Sequence, residues 1–261
     1  MTYLVIPSMR VHGANLLTSN LVAGGPPLMA CALFAHQVAR EAGARDLGFF
    51  LIHHDRQELG QFIYGRLHGQ QRRGAMFIDG SDYSSTNKQA LSLQPTLSAH
   101  LRVSVVIKFD DLQDVDAVHK MLERGKFSGG TVLSHGQIET EETLQAAFKR
   151  VPSGFVLRDK SIELEQPGES RAAVLIKKLA ANPQLLDAHP PWLAATTLGY
   201  ATLTEFKHKG GVREGVEHAF AEPLTGLVQY VSLRKAASEL KSLMWACAWP
   251  HPDVFLLSQR S

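Results

Sequence analysis

The chain has little that would tie it to redox, membrane or nucleotide-hydrolysing work. It contains two cysteines, Cys31 and Cys247, each inside an apolar run (LMACALF and LMWACAW). That setting suits small buried thiols, supplies no framework of bridges, and leads to the expectation of a reducing compartment. No run nears the roughly 20 apolar residues of a membrane span, and MTYLVIPSMRVHG lacks the basic and apolar regions of a secretory leader, so a soluble, cytoplasmic protein with no membrane partner is expected. No G-x-x-x-x-G-K-[ST] string occurs, which argues against ATP hydrolysis, and no G-x-S-x-G elbow offers a serine nucleophile. The twelve histidines do not make a metal site by spacing. His53 and His54 are adjacent, so on a strand they point to opposite faces, and neither cysteine stands at ligand spacing. No cofactor is expected.

Charge of either sign is also scarce in the balance. The formal net charge is +2 over 261 residues, which neither demands nor excludes a nucleic-acid partner. Its distribution is more informative. Within residues 56–100, Arg56, Arg66, Arg72, Arg73 and Lys88 stand against Glu58, Asp79 and Asp82, while the rest of the chain is balanced, so the whole excess lies in this one segment.

What is present is a chain with material for a substantial core, 44% hydrophobic and 20% charged, within the range of one domain. TYLVIPSMRVHG reads as a first strand with Tyr3, Val5, Met9 and Val11 on one face and Ser8, Arg10 and His12 ending the other. Pro26-Pro27 starts a helix that Gly43 stops, with Leu28, Cys31, Ala35, Val38 and Ala42 as its apolar stripe. Leu47 to Ile52 (LGFFLI) follows as a buried strand. From Arg56 to Ala99 the periodicity is lost among glycine turns, which predicts an inserted hairpin. Regularity returns where Leu101, Val103, Val105, Ile107 and Phe109 alternate with Arg102, Ser104, Val106 and Lys108. A helix is predicted at about 112–124, with acidic residues in its first turn, and FSGGTVL turns into a fourth strand.

That order predicts an α+β fold, a ferredoxin-like, RRM-type split βαβ core over residues 1–138 with a thumb insertion at 56–99. Residues 139–261 are expected to form a degenerate, β-rich second half packed on it, with helices near 139–150 and 169–181, a strand at PSGFVLRDK, two short strands about Gly199, and further strands at GLVQYVSL, SLMWACAW and VFLLS. RNA-recognition modules of this topology bind single-stranded RNA on the open sheet face through exposed aromatics. Here those aromatics are missing, and Arg10, His12, Arg102, Ser104 and Lys108 offer donors suited to phosphate and sugar.

Four local features have two readings each. In FSGGTVL, Gly129 and Gly130 remove side chains where a backbone N–H could approach phosphate, with Ser128 and Thr131 adding hydroxyls; the same residues also make a tight turn. Arg72-Arg73 is either a solvated turn or a phosphate clamp. Asn15 is a turn residue or a base-edge donor and acceptor pair, and His12 a surface histidine or an RNA contact.

Beyond these readings, an ordered series of segments resembles one family. LVIPSMRVHGANLLTSNLVAGGPPLMACALFAHQVAREAG, GFFLIHHDRQEL, AHLRVSVVIKF, FSGGTVL, PSGFVLRD, the segment from Trp192 to Tyr200, and LMWACAWPHPD are similar, in order and over roughly the full length, to the Csy-complex foot subunit. This is the Cas-five-type member of the RAMP superfamily in type I-F CRISPR Cascade. The resemblance implies a non-catalytic structural subunit that binds and caps the 5′ handle of the CRISPR guide RNA (crRNA), abuts the RNA-coating backbone subunit, meets a large subunit, and serves recognition of target DNA within the assembled ribonucleoprotein. It implies RNA contacts from Arg10, His12 and Asn15, from Arg72, Arg73, Phe77 and Lys88 of the thumb, from Ser128, Gly129, Gly130 and Thr131, and from Arg158. One departure is that the stretch from Val151 to Trp192 is shorter than the helical and polar insertion usual in that family, which leaves the large-subunit contact open and suggests a reduced variant. The alternative is a metal-independent endoribonuclease acting on precursor crRNA, as in some relatives of the superfamily, with His12, His36 and Lys88 as general acid–base candidates.

Overall fold

A computed structural model describes residues 1–19, 22–64, 66–69, 72–73, 93–94, 96–180, 192–210 and 215–259. The first half runs β1 (Thr2–Asn15), α1 (Leu28–Glu41), β2 (Asp46–Ile63), β3 (Arg66–Gly69), β4 (Arg72–Arg73), β5 (Leu93–Gln94), β6 (Ser98–Phe109), α2 (Val115–Glu123), β7 (Lys126–Phe127) and β8 (Gly130–Ser134). The second runs β9 (Glu139–Glu141), α3 (Leu144–Lys149), β10 (Phe155–Asp159), α4 (Arg171–Ala180), β11 (Leu193–Thr202), β12 (Ala221–Ser232), α5 (Leu233–Ala236), β13 (Trp245–His251) and β14 (Val254–Gln259). No described helix is long and apolar enough to cross a membrane.

The fold class differs from the expected α+β ferredoxin-like core. Among the described residues the chain forms a mainly antiparallel β structure built on one 12-stranded sheet, in the order β10-β12-β11-β14-β13-β2-β6-β1-β8-β7, with β3 added to β2 and β9 to β1. The physical reason is the free edge of β2. Its inner edge is taken by β6 along most of its length, and its outer edge is shared end to end by β13, at Phe49–Trp245, and β10, at His53–Phe155. Strand edges carry unpaired backbone groups that must be satisfied. Satisfying them here draws β10–β14 into the same sheet and closes six strands (β2, β13, β14, β11, β12, β10) into a ring. The second-half strands were legible one by one, but not this continuity.

One core fills the side of the sheet that carries α1 and α2. Leu28, Cys31, Phe34, Ala35 and Val38 of α1 pack there with Val103, Val105 and Ile107 of β6 and with Leu198, Val228 and Leu257 of the second half. The approach of α1 to β11 explains the Gly-Gly-Pro-Pro lead. A Cβ on Gly25 would lie 2.0 Å from the Ala195 carbonyl oxygen, and buried Thr196 donates its hydroxyl to the Pro26 carbonyl at 2.7 Å. On the opposite side, Val5, Phe50, Ile52 and Val106 form a second core covered by Leu144 and Ala147 of α3. That cover reaches only one end of β1 and β6. The other end of the same face stays open and polar.

Local differences follow from features that periodicity does not register. β1 carries a bulge between Ile6 and Met9, with Ser8 at φ 48°, so Leu4 and Ile6 share a core with Met9 and Val11 while Val5 turns to the other face beside Tyr3. β2 does not stop before Arg56: its polar residues 55–58 and Leu59 continue the ladder to β6, as in the Gln57–His100 and Leu59–Ser98 pairs. The helix expected at 139–150 is shorter and preceded by β9, because Thr143 caps it by accepting from the Ala146 amide. Residues 193–202 make one strand with a bulge at Leu198 rather than two strands about Gly199.

Candidate nucleic-acid interface

The open end of the sheet presents two rows of polar side chains running across the strands. In the first row, Ser134, Arg10, Arg102 and Asp55 are successive Cα partners on β8, β1, β6 and β2. In the second, Thr131 pairs with His12 and His100 with Gln57. Alternation explains the placement: Val11, Leu101 and Val103 enter the core, so their neighbours face outward. All residues of the two rows except Thr131 line a cleft of about 310 Å³ that also includes exposed Leu133.

Arg10 and Arg102 face each other with no ion pair to either among the described residues. Like charges directly opposite on neighbouring strands repel, so this arrangement gains from an anion. His12 stacks on His100 with ring centroids 4.3 Å apart and planes 28° apart. The Gly13 amide donates to His100 Nδ1 at 3.3 Å, which puts the proton of the neutral ring on Nε2.

Beneath the arginine row lies a buried hydrogen-bond chain. The Ser104 hydroxyl, 0% exposed, lies 2.6 Å from His54 Nε2 and accepts from the Ser8 amide at 2.8 Å, and His54 Nδ1 lies 2.9 Å from the Ser153 carbonyl oxygen. Burial depresses the His54 pKa, the bond to Ser153 opposes this, and the Arg102 charge depresses it further. The ring is therefore neutral, with Nδ1–H donating to Ser153 and Nε2 accepting from Ser104. Next to it, His53 is 7% exposed, packs edge-on against Tyr230 at 5.3 Å, and has no hydrogen-bond partner for Nε2. Burial, with help from the Arg56 charge and from His54 once acid protonates it, lowers its pKa to about 3.

The residues expected to meet RNA are distributed unevenly. Arg10, His12 and Thr131 come together on the open face. Ser128 and Gly129, with φ 48° and 74°, form the two-residue turn between β7 and β8, a type I′ hairpin geometry. The Ser128 hydroxyl is used on the Asn15 carbonyl at 2.7 Å. Gly130 is there for packing, since a Cβ on it would lie 2.6 Å from the Ala14 nitrogen and 2.7 Å from the His12 oxygen. Asn15 closes an Asx turn, accepting from the Leu17 amide at 2.9 Å. Arg158, on β10, does not line this cleft and is ion-paired with Glu239. Arg72 and Arg73 form β4, paired with Gln94 and Leu93 of β5 on the far side of residues 74–92; Phe77 and Lys88 lie outside the described residues. Of the other donors read on this face, Ser104 is buried and Lys108 sits over the Tyr3 ring, 5.9 Å from its centroid.

Sequence reading missed Asp55, Gln57, His100 and Ser134. The polar alternation Asp55–Gln57 after LGFFLIHH was the available signal, masked by the loss of apolar periodicity at the same point. A larger cleft of about 680 Å³ lies beside α4, but it is lined chiefly by leucines, valines and isoleucine and so suits an apolar group rather than a polyanion. No protein-family model matches the chain, and no curated protein matches it.

Proposed function

We propose that the chain is a non-catalytic RNA-binding subunit of a type I-F-like CRISPR surveillance complex, holding the 5′ handle of the crRNA on the open end of its sheet. The observation that carries this reading is the opposition of Arg10 and Arg102 without an ion-pair partner among the described residues. Two guanidinium forks side by side present donors matched to phosphate oxygens, and the adjoining histidine stack offers a ring face to a base. The ordered segments that resemble the Cas-five-type foot subunit supply the guide-RNA role. The β2–β3 hairpin and the β4–β5 pair flank in sequence the segment where that resemblance sets a thumb. The proposal extends to a backbone Cascade subunit and a large subunit as neighbours, to target DNA within the assembled complex, and to the cytoplasm as its compartment.

Of the nuclease alternative's candidates, His12 faces outward on the open side, whereas His36 lies on α1, which packs against the other face of the sheet, and is paired with Asp46; a general acid and base need to converge on one reacting group, which these two do not. The third, Lys88, lies outside the described residues.

The test is to purify the tagged protein from its host and sequence the bound RNA. Reads beginning in one repeat-derived 5′ handle are expected. Recovery of no RNA, or of cellular RNA in proportion to abundance, would reject the assignment.

A further inference from the structure

We propose that the open cleft is a single-nucleotide subsite that selects guanosine, with the phosphate on Arg10 and Arg102 and the base edge read by Asp55. This rests on the RNA-binding reading and specifies which nucleotide the site takes.

The row Arg10–Arg102–Asp55 crosses two interstrand spacings, about 10 Å at 4.7–4.9 Å each. That separates Arg10, the far member of the arginine pair, from Asp55 by the reach from a phosphate to the far edge of its own base, with Arg102 one spacing from each. At about 310 Å³, the cleft sits at the lower end of small-ligand sites, roughly 300–1,000 Å³, which is room for one turned-out nucleotide and too little for a duplex. Beside the row, exposed His12, two residues beyond Arg10 on β1 and backed by His100, provides a flat ring on which a base can stack.

Asp55 decides which base. Its carboxylate is exposed, has no ion pair among the described residues, and uses Oδ1 to accept the Arg56 amide at 2.9 Å. An ionised carboxylate only accepts, and its two oxygens hold about four lone-pair sites, so acceptor capacity remains. Guanine alone among the four RNA bases places two donors side by side, N1–H and the 2-amino group. Adenine and cytosine pair a donor with an acceptor there, and uracil flanks its single donor with acceptors, so each would set a lone pair against the carboxylate. Gln57, the next outward residue on β2, can turn its amide to donate to the guanine O6.

The experiment uses the full chain and labelled single-stranded RNAs: a uridine 12-mer, and the same oligomer with one central guanosine or one central adenosine. Binding is followed by fluorescence anisotropy. The single guanosine is expected to tighten binding about tenfold over both other oligomers, the discrimination of one bidentate contact. Asp55→Asn keeps an oxygen for the Arg56 amide, so the fold is retained, but it puts a donor where guanine also donates; the guanosine preference is expected to vanish while uridine binding stays. His12→Ala should weaken all three oligomers and keep their order. Equal binding of the three by the wild type would overturn the guanosine subsite and leave RNA binding standing. A guanosine preference that persists in Asp55→Asn would overturn the role of Asp55. Failure to bind any oligomer would overturn this proposal together with the RNA-binding reading beneath it.

Discussion

His54 Nε2 lies 2.6 Å from the hydroxyl of Ser104, which at the same time accepts the Ser8 amide. One buried hydroxyl thus links the β1 bulge, across which the outward-facing residues of β1 change register, to β2. Ser104→Ala should leave the Ser8 amide and His54 Nε2 without partners and cost about 1–3 kcal/mol of unfolding free energy. Urea denaturation measures it. A loss below a few tenths of a kcal/mol would show that the bulge is held by other contacts.

The same bulge explains where sequence reading ends. The β6 pattern was legible because Leu101, Val103, Val105, Ile107 and Phe109 keep strict alternation without a bulge of their own, and all five enter one core. β1 looked equally regular, yet Pro7 and Ser8 insert the extra residue that shifts Val5 to the other face, and the bulged Ser8 amide finds its partner in Ser104, ninety-six positions away. The α2 start was legible because its cap is local: Asp114 accepts the Ala117 amide at 2.9 Å. The ring closure through His53–Phe155 was not, since no local signal states which edge of β2 a distant strand will take. For the candidate site, Arg10 and His12 could be read from β1 alone, whereas Asp55 and His100 join them only through pairing.

The double glycine separates a packing role from a ligand role. Gly130→Ala drives a methyl into the β1 backbone at 2.6–2.8 Å and should destabilise the protein by about 3 kcal/mol. Gly129→Ala meets only the Asn15 Cβ at 3.9 Å, an ordinary contact, but keeps φ at 74°, a left-handed cost of about 1 kcal/mol. RNA affinity should fall only in the Gly130 variant, through displacement of the strand beside His12. A loss of affinity in the Gly129 variant with little loss of stability would instead make the turn a direct RNA contact.

Stability should depend on pH through His53. Its folded pKa is about 3 against 6.5 for the free side chain, so below 6.5 the unfolded chain takes up a proton that the native protein does not. Its contribution is therefore complete above pH 6.5 and is lost progressively as pH falls toward 3, by about 2 kcal/mol between pH 6.5 and 5. His53→Phe removes both the titrating ring and its unpartnered Nε2 and should flatten this part of the profile. An unchanged slope in the variant would assign the pH dependence to other groups.

The most direct measurement is the salt dependence of single-stranded RNA binding by the wild type and by the Arg10→Gln, Arg102→Gln double variant. Each phosphate contact on a single strand adds about 0.7 to the slope of log K against log salt. Loss of both arginines should lower affinity at least about tenfold and reduce that slope by roughly 0.7–1.4, while unfolding stability holds or rises as the opposed charges are removed. Wild-type affinity and slope in the double variant would contradict the account.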